Sequence, residues 1–349
     1  MNYPKISVCI PAYNRAALLP ALLDSVFEQD FESYDVVIAE DGSPEREEIK
    51  KVTSEYSDRY PGRLTYIENS TNLGYDGNLR NMFSLATGDY IFFLGNDDLM
   101  CAGALAKVAD AVTRYPDVGV VLRTYAAFEG VPENVVETFR YFDNELFFPA
   151  GAETVGALYR RSVVIPGMVF HRESALALST DRFDGTLLYQ LYLVAEILVD
   201  KNAVYLPEVT VLYRNGGVPD FGSSAVEQGK FKPKEQTPES SLHFIEGMLD
   251  IARYVEEHRS VKIYNTIFRD MANYSYPLLS IQSNKAFPVF IKYGRGLAKL
   301  GFWKYPMFWV YFLALLLFGD KFLSRIIVWL KRKLGVTPSI GSLYRGRSS

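Results

Sequence analysis

Two adjacent carboxylates, Asp97 and Asp98, follow an apolar run that covers residues 90–94. A buried strand needs no such ending to fold, and two like charges at one strand end repel each other unless water, a cation or a basic group compensates them. In open α/β sheets, ligands bind at the carboxyl ends of the strands. The pair is therefore a candidate ligand site. A solvated turn or a helix cap is the alternative interpretation.

Polar residues also follow two earlier apolar segments. Segment 6–11 is followed by Ala12, Tyr13 and Asn14, and segment 36–39 is followed by Glu40 and Asp41. Strands that alternate with helices form βαβ units, in which the carboxyl ends of parallel strands share one edge of the sheet. We expect the residues that follow these strands to meet Asp97 and Asp98 at that edge.

The elements that must position these residues alternate between strand and helix. Periodic leucines predict a helix at 14–29, with Asn14 as its N-cap. Other expected elements are helices ending near 58 and at 77–86, 104–114 and 187–199, and strands at 64–67, 90–94, 118–122, 204–206 and 209–213. Residues 215–237, with their glycines and prolines, predict a mobile loop and a domain boundary. After residue 238 the pattern is helical.

Charge is distributed unevenly along the 349 residues. The formal charge of −4 does not indicate nucleic-acid binding, but nine basic residues and only one acid, Asp320, lie between residues 292 and 333. This asymmetry indicates that the C-terminal end meets a polyanion or an anionic membrane. Two cysteines are too few for a disulfide framework, and the first residues lack a signal-peptide pattern. We therefore expect reduced thiols and a cytosolic location.

Six short motifs occur in order over about 100 residues. They are Ile6-Ser-Val-Cys-Ile-Pro-Ala-Tyr-Asn14, Val36-Val-Ile-Ala-Glu-Asp-Gly-Ser43, Asn72-Leu-Gly74, Arg80-Asn81, Ala86-Thr-Gly-Asp-Tyr-Ile91 and Asn96-Asp-Asp98. Together they resemble family 2 glycosyltransferases of the GT-A fold, of the bacterial surface-polysaccharide type that includes abequosyltransferases. The resemblance covers residues 5–215 and implies an α/β fold, with a Rossmann-like, mostly parallel sheet flanked by helices and an all-α C-terminal appendage.

The resemblance implies an inverting enzyme that transfers a sugar from a nucleoside-diphosphate donor to an acceptor hydroxyl. The residues that match the family's nucleoside-binding positions are Pro11, Ala12, Tyr13, Asn14 and Asp41. A carboxylate suits such a position because it accepts hydrogen bonds from a base N–H or a ribose hydroxyl. Arg80 would lie near the diphosphate, where a guanidinium pairs with phosphate oxygens.

Asp97 matches the metal-binding aspartate of the family's DxD motif. The resemblance therefore implies a divalent cation, Mn²⁺ or Mg²⁺, bound by Asp97 and Asp98 together with the donor's phosphates. Its role would be to neutralise the charge that develops on the departing nucleoside diphosphate. The first aspartate of the motif is replaced by Gly95, so that Asn96 and the two acids remain to form the site. Similar strand ends occur in abequosyl-type transferases, so the replacement is compatible with activity.

The general base is the second departure from the family. Where the family places a Glu-Asp pair, this sequence has Leu188, Tyr189 and Gln190, none of which is a good proton acceptor. Asp184 is the nearest carboxylate that could reach the site, and Asp181 is the next. The sequence thus proposes Asp184 as the catalytic base.

Two C-terminal segments predict membrane association. Residues 305–318 are uncharged but shorter than the about 20 apolar residues that span a bilayer, and residues 321–334 form a basic amphipathic helix of the interfacial kind. The alternative is that both helices pack on the catalytic domain or on another copy in a homo-oligomer. We predict a GT-A catalytic domain at 1–237, with a nucleotide-binding half at about 1–100 and an acceptor half at about 101–237. A helical region follows at 238–349.

The sequence therefore predicts a glycosyltransferase of cell-surface polysaccharide synthesis. It would act on a glycan or lipid-linked acceptor at the cytoplasmic face of the inner membrane, as a peripheral or monotopic protein. A sugar-phosphate nucleotidyltransferase has a similar core, but it would need a glycine-rich, basic loop after the first strand, where this chain has Pro-Ala-Tyr-Asn-Arg. A degenerate transferase kept as a nucleotide-sugar-binding or scaffold subunit is the other alternative, which the missing base favours.

Overall fold

The computed structural model describes residues 3–217 and 219–334. Within these ranges, ten strands form one sheet. They are β1 (Ile6–Ala12), β2 (Tyr34–Glu40), β3 (Leu64–Glu68), β4 (Tyr90–Phe93), β5 (Leu99–Met100), β6 (Val118–Phe128), β7 (Val135–Phe139), β8 (Leu146–Phe148), β9 (Val169–His171) and β10 (Asn202–Arg214). The strand order is β3-β2-β1-β4-β9-β6-β10-β5, with β7 paired to β6 and β8 paired to β10.

The sheet is parallel in its first half and mixed in its second half. Strands β1 to β4 pair with one another only in parallel, whereas β9 runs antiparallel to both β4 and β6. Strand β10 returns parallel to β6. The connection from β6 to β7 is too short to hold a crossover helix, so these two strands pair antiparallel. The predicted GT-A architecture is confirmed, and its parallel strands are concentrated in the N-terminal half.

Helices cover both faces of the sheet and continue beyond it. They are α1 (Leu19–Phe27), α2 (Arg46–Arg59), α3 (Gly74–Leu85), α4 (Ala104–Arg114), α5 (Ala152–Leu158), α6 (Arg172–Ala177), α7 (Tyr189–Asp200), α8 (Pro238–Arg259), α9 (Tyr264–Asn273), α10 (Tyr276–Ser280), α11 (Phe287–Lys299), α12 (Pro306–Phe318) and α13 (Asp320–Leu334). Short 3₁₀ turns occur at Ala16–Leu18, Tyr159–Ser162 and Phe302–Lys304. From residue 238 to residue 334 the pattern is helical, as predicted, and residues 335–349 of the predicted helical region lie outside the described residues.

The core has two layers because successive strand residues point to opposite faces of the sheet. Val36 and Ile38 of β2 pack with the buried faces of α1 and α4. Val37 and Ala39 pack on the other side, among apolar residues of α3, α7 and α8. Because residues 36–39 are all apolar, β2 contributes buried side chains to both layers of the core.

The segment after β1 differs from the prediction. Asn14 is not a helix N-cap: Asn14 and Arg15 have φ angles of 55° and 65°, and a 3₁₀ turn precedes α1. No side-chain hydrogen bond caps that turn, and the Asn14 amide is directed towards Asp220 instead. The tertiary contact with a distant loop has replaced the local cap.

The C-terminal helices pack on the catalytic part and share its core. The Tyr159 hydroxyl donates to the Met248 carbonyl at 2.7 Å, and Arg160 Nε donates to Asp270 Oδ2 at 2.7 Å. Apolar residues of α8, α9, α11 and α12 belong to the same buried cluster as those of α3 and α7. None of the helices in the described ranges is both long enough and apolar enough to cross a membrane.

Candidate active site

The carboxyl ends of five strands lie at one edge of the sheet. Strands β1, β2 and β4 are parallel neighbours. Strands β6 and β10 run in the same direction as β4, because β9 is antiparallel to both β4 and β6. The loops after β1, β2, β4 and β10 therefore meet at this edge, which is where α/β sheets bind ligands.

The loop after β1 is fixed by a side chain from the turn after β4. Asn96 Nδ2 donates to the carbonyl oxygens of Tyr13 and Asn14 at 3.2 and 3.0 Å. Two consecutive left-handed residues, Asn14 and Arg15, then turn the chain back over the strand ends. This contact joins the predicted nucleoside-binding loop to the predicted metal-binding turn.

Asp97 is the member of the acidic pair that reaches the surface of the site. Its Oδ2 accepts a hydrogen bond from Arg15 Nη1 at 2.6 Å, and its side chain is 12% exposed. Burial raises the pKa of Asp97, while the guanidiniums of Arg15 and Arg214 act in the opposite direction. Two arginines thus supply the compensating charge that the sequence argument required.

Asp98 is directed into the protein. Its Oδ1 accepts the backbone N–H of Arg214 at 2.9 Å, and Arg214 Nε donates to the Asp97 carbonyl at 3.1 Å. Burial, and then repulsion by Asp97, raise the pKa of Asp98 well above its ordinary value. Asp98 therefore ties the turn after β4 to the end of β10, behind the carboxylate of Asp97.

Gly95 explains the missing acid of the family motif. A Cβ atom added at Gly95 would lie 2.5 Å from Asp98 Oδ2, closer than real Cβ atoms come to other atoms. The inward carboxylate of Asp98 therefore occupies the space that a side chain at position 95 would need. In this chain the glycine and the second aspartate form one steric unit.

Asp41 is buried at the end of β2 and organises the loop before α3. Its Oδ1 accepts from Asn69 Nδ2 and from the Leu73 N–H, both at 2.8 Å, and its Oδ2 accepts from the Gly74 N–H at 2.9 Å. Burial raises the pKa of Asp41 to about 6, although these three bonds oppose the shift. The motif Asn72-Leu-Gly74 is thus bound to the carboxylate that follows β2.

Arg80 and Asp184 form a bidentate ion pair. Arg80 Nη1 contacts Asp184 Oδ1, and Arg80 Nη2 donates to Asp184 Oδ2 at 2.8 Å. Arg80 also donates to the Thr180 carbonyl at 3.1 Å. The structure therefore brings the predicted phosphate ligand and the predicted base together, and both oxygens of Asp184 contact the guanidinium.

Asp76 positions the same turn, and the sequence analysis missed it. Its Oδ2 accepts the N–H groups of Gly185, Thr186 and Leu187 at 2.8–3.0 Å, and its Oδ1 accepts that of Tyr189 at 2.8 Å. Burial raises the pKa of Asp76 to about 6 despite these bonds. The one signal available in the sequence is its helical spacing of four from Arg80.

Residues 219–237 contact both parts of the site. Asp220 Oδ2 accepts from Asn14 Nδ2 at 3.3 Å, next to the nucleoside loop. Glu227 Oε1 accepts the Tyr75 N–H at 2.8 Å, and Lys230 Nζ donates to the Asp184 carbonyl at 3.4 Å. This loop therefore links the turn after β1, the start of α3 and the turn before α7.

A divalent cation at this edge would need ligands from the substrate as well as from the protein. Within residues 3–217 and 219–334, no three His, Cys, Asp or Glu side chains are grouped to hold a metal ion. A cage built from protein side chains alone is thus not present in these ranges. Asp97 nevertheless fits a cation of the magnesium type, which one or two carboxylates bind together with substrate phosphates. Asp98 fits less well as a direct ligand, because its oxygens face Arg214 and Gly95.

The fold and the strand-end site define the class of the protein. Residues 7–172 match the family model described as Glycosyl transferase family 2. The matched segment overlaps all six motifs and covers just under half of the chain, so it agrees with the family that the motifs resemble. The structure is also similar to that of S. aureus TarS 1–349 in complex with UDP, with a TM-score of 0.52 over 84% of this chain and 82% of that one. At 15% identity this similarity confirms the GT-A fold alone.

Curated relatives that match the chain include sugar transferases of bacteria. The chain is 28% identical to abequosyltransferase RfbV of Salmonella typhimurium, over 52% of this chain and 54% of that protein. It is 32% identical to a GalNAc(5)-diNAcBac-PP-undecaprenol beta-1,3-glucosyltransferase of Campylobacter jejuni, over 30% of this chain and 33% of that protein. The matches thus span about half or less of these relatives' own lengths.

Proposed function

We propose that this chain is an inverting glycosyltransferase, which moves a sugar from a nucleoside-diphosphate donor to an acceptor hydroxyl in cell-surface polysaccharide synthesis. The observation that carries the proposal is the turn after β4. There a partly exposed carboxylate, Asp97, accepts a hydrogen bond from Arg15 of the loop after β1, and Asn96 donates to two carbonyl oxygens of the same loop. The family 2 domain and its bacterial relatives support the same activity.

The nucleoside is proposed to bind between the ends of β1 and β2. The residues proposed to hold it are Pro11, Ala12, Tyr13, Asn14 and Asp41. Each carboxylate oxygen accepts two hydrogen bonds, and Asp41 Oδ2 has one internal donor, the Gly74 N–H. One acceptor position therefore remains for a ribose hydroxyl or a base N–H.

A divalent cation, Mn²⁺ or Mg²⁺, is proposed to bind Asp97 and the donor diphosphate, with Asp98 orienting the turn from behind. When bound, it would supply positive charge to the departing diphosphate. Arg15 and Arg214 lie next to the same carboxylate and add positive charge at this edge. Arg80 was expected near the diphosphate, and its pairing with Asp184 supports a positioning role for it instead.

The transfer step needs a proton acceptor on the acceptor side. The acceptor oxygen forms a bond to the anomeric carbon, the bond from that carbon to the diphosphate oxygen breaks, and the hydroxyl proton passes to a base. Asp184 is the proposed base, held in place by Arg80 and by the turn that Asp76 binds. Arg80 occupies one lone pair on each oxygen of Asp184, so the proton must pass to a remaining lone pair of this carboxylate.

A nucleotide-sugar-binding or scaffold subunit is the second candidate function. The specific observation that favours it is the bidentate Arg80–Asp184 pair, which engages both oxygens of the proposed base. The two candidates differ in turnover, because a scaffold binds the donor and does not consume it.

The acceptor is proposed to be a glycan or a lipid-linked oligosaccharide at the cytoplasmic face of the inner membrane. The printed name of the Campylobacter relative includes an undecaprenol-linked sugar, which supports an acceptor of this class. We propose residues 1–237 as the catalytic domain, with its nucleotide half at about 1–100 and its acceptor half at about 101–237. Residues 238–349 are proposed as the helical region that associates with the membrane.

The decisive experiment is a donor screen in two stages. Calorimetry of the full chain with nucleoside diphosphates, with and without Mn²⁺, measures binding, and a hydrolysis assay over nucleotide sugars measures turnover. We expect one nucleotide to bind more tightly with Mn²⁺ and its sugar conjugate to be hydrolysed slowly. Binding without hydrolysis or transfer would favour the scaffold, and no binding of any nucleotide would contradict both candidates.

A further inference from the structure

Helix α12 is apolar on every side, although protein covers only one of its sides within residues 3–217 and 219–334. The buried side chains of its inner face are Phe308, Phe312 and Leu315. On the outer face Val310 is 53% exposed, Leu313 is 51% exposed and Leu317 is 75% exposed. Their spacing of three and four residues aligns them along the helix. A contiguous apolar face of this kind marks contact with another apolar phase or with a partner.

Helix α13 follows α12 after Gly319, and the exposed rings of Phe318 and Phe322 connect the two helices, with 5.7 Å between their centres. Its exposed large apolar side chains are Phe322, Ile326 and Trp329, which also follow a spacing of four and three. Leu323 and Ile327 turn inwards and pack against the core. Each of the two helices therefore has an inner face packed on the protein and an apolar outer face that is exposed in the described part of the chain. We call the following set of exposed side chains the apolar outer face: Val310, Leu313, Leu317, Phe322, Ile326 and Trp329.

Positive charge borders the apolar outer face. Lys321 and Arg325 are exposed, and at 100° per residue they lie on α13 beside its apolar stripe. From residue 301 to residue 334 the sequence has six basic residues and one acid, Asp320. The carboxylate of Asp320 accepts the Tyr276 hydroxyl at 3.0 Å. An apolar stripe with basic flanks is the pattern of helices that lie in an anionic membrane interface.

Exposed tryptophans lie on both helices and just before α12. Trp303 and Trp309 are both exposed, and Trp309 Nε1 donates to the Trp303 carbonyl at 2.9 Å. On α13, Lys333 Nζ lies 4.7 Å from the centre of the Trp329 ring. Indole rings are enriched at membrane–water interfaces because they combine an apolar body with a polar N–H.

The geometry points to an anionic lipid bilayer as the partner of the apolar outer face, with α12 and α13 lying in the interface. At 1.5 Å per residue α12 is about 20 Å long, too short for a hydrocarbon core of about 30 Å. A second copy of the chain fits less well, because a two-fold contact would bring Lys321 and Arg325 towards a surface with equal positive charge. This inference deepens the proposed membrane location and rests on that part of the proposed function.

The test measures binding of the full chain to vesicles by flotation. One set contains phosphatidylcholine alone, and the other also contains phosphatidylglycerol. We expect binding to both sets and tighter binding to the anionic one. The double variant Leu313→Glu, Leu317→Glu should lose affinity by about a hundredfold, because two leucine side chains would no longer leave water. Failure of the parent chain to float would overturn the inference.

The matched control is Val131→Glu with Val135→Glu. These two valines are exposed in the catalytic part and give the same change in charge. We expect this control to bind vesicles as the parent does. Equal loss in both double variants would overturn the inference, since the loss would then follow net charge and not the apolar outer face.

A second variant tests the lipid charge. Lys321→Gln with Arg325→Gln should weaken binding to anionic vesicles by about tenfold and leave binding to neutral vesicles unchanged. Light scattering without lipid tests the rival partner: a parent dimer that Leu313→Glu, Leu317→Glu dissociates would assign the surface to a second copy. Thermal unfolding of each variant should match the parent, because all four side chains are exposed.

Failure of this inference is distinguishable from failure of the proposed function. Donor hydrolysis in vesicle-free buffer should be the same for the parent and for Leu313→Glu, Leu317→Glu. Hydrolysis without flotation would overturn the membrane surface alone. Flotation without hydrolysis of any donor would contradict the transferase and support the membrane surface.

Discussion

Asp97 and Asp98 are neighbours in sequence but differ in environment. Asp97 pairs with Arg15 and reaches the surface of the site, whereas Asp98 is buried and accepts the Arg214 N–H. The sequence predicted the location of both, because an apolar strand that ends in two acids has no structural need for them. It could not divide their roles, since the partners are Arg15, from the loop after β1, and Arg214, from the end of strand β10.

Gly95→Ala tests the steric unit formed with Asp98. The new methyl group would meet Asp98 Oδ2 at 2.5 Å, so the buried carboxylate must move. We expect a loss of about 1–3 kcal/mol in the free energy of unfolding and a loss of donor turnover. Ser54→Ala is the control, because it introduces the same methyl group at an exposed position of α2. Full stability and turnover in Gly95→Ala would contradict the proposed packing.

Asp184→Asn tests the proposed base. The amide keeps the shape of the side chain but cannot accept the acceptor proton, so we expect kcat of transfer to fall by about 10²–10⁴-fold. Donor binding measured by calorimetry should be unchanged. Arg80→Ala should lower both the free energy of unfolding and kcat, since the Asp184 carboxylate then loses the guanidinium that positions it. Undiminished kcat in Asp184→Asn would exclude this residue as the base.

The base was the weakest part of the sequence prediction for a physical reason. Asp184 was chosen by its distance along the chain from the expected position, while its ion pair joins residues 104 apart. Asp76 was missed for the same reason, because its four bonds reach the backbone of residues 185–189. Neither contact leaves a local pattern in the sequence.

At the scale of elements, α3 organises the acceptor side of the site. Asp76 and Arg80 are four residues apart and therefore lie on one face of α3. That face is turned to the segment before α7, where Asp76 binds backbone N–H groups and Arg80 binds Asp184. One helix thus fixes both the path of the turn and the side chain of the proposed base.

Asp76→Asn tests this anchoring. An amide replaces one acceptor oxygen by a donor that would face backbone N–H groups, so we expect a loss of about 1–3 kcal/mol in the free energy of unfolding. Asp110→Asn, at an exposed ion pair on α4, should change stability far less. Stability equal to that of the parent would contradict the role of Asp76.

The same variant has a pH signature. The pKa of Asp76 is raised to about 6 from the value of 3.8 expected without burial, so the folded state holds its proton more tightly than the unfolded state. Its contribution to stability is therefore fully present below pH 4 and is lost as the pH rises through 6. Denaturant unfolding should show a larger deficit for Asp76→Asn at pH 5 than at pH 7. A deficit that grows with pH would contradict the sign.

Element boundaries show what periodicity can predict. Helix α4 lies at the predicted residues, and β1, β2 and β4 lie within two residues of theirs, because their apolar patterns are unambiguous. The short strands β7 and β8 were missed, since a few half-exposed residues carry no clear period. Strand β10 was predicted as two strands because Pro207 and Glu208 interrupt its apolar pattern. The register with β6 shifts at the same point.

At the scale of the whole molecule, helices from residue 238 onwards share one buried apolar cluster with helices of the N-terminal part. Helix α8 packs on α7, and the Arg160–Asp270 ion pair connects α9 to the turn after α5. The sequence predicted a boundary near residue 237 from loop composition. It could not show that the helices beyond the loop cover apolar side chains of α5 and α7.

A fragment of residues 1–237 tests how far the two regions depend on each other. Removal of α8 and α9 would expose buried residues such as Leu188, Val155 and Tyr159 to water. We expect the fragment to aggregate or to lack a cooperative thermal transition, while the full chain unfolds in a single transition. A soluble fragment with its own sharp transition would show that the catalytic domain is independent of the helices.

The most direct test of the central claim is the turnover of Asp97→Ala with the preferred donor. Donor diphosphate, cation and Asp97 are proposed to meet at the end of β4. Sugar transfer by the variant should therefore fall by at least about a hundredfold. Its thermal unfolding should be the same as that of the parent. Asp110→Ala, an exposed aspartate of α4, should retain full turnover. Normal turnover by folded Asp97→Ala, with donor and Mn²⁺ present, would contradict the account.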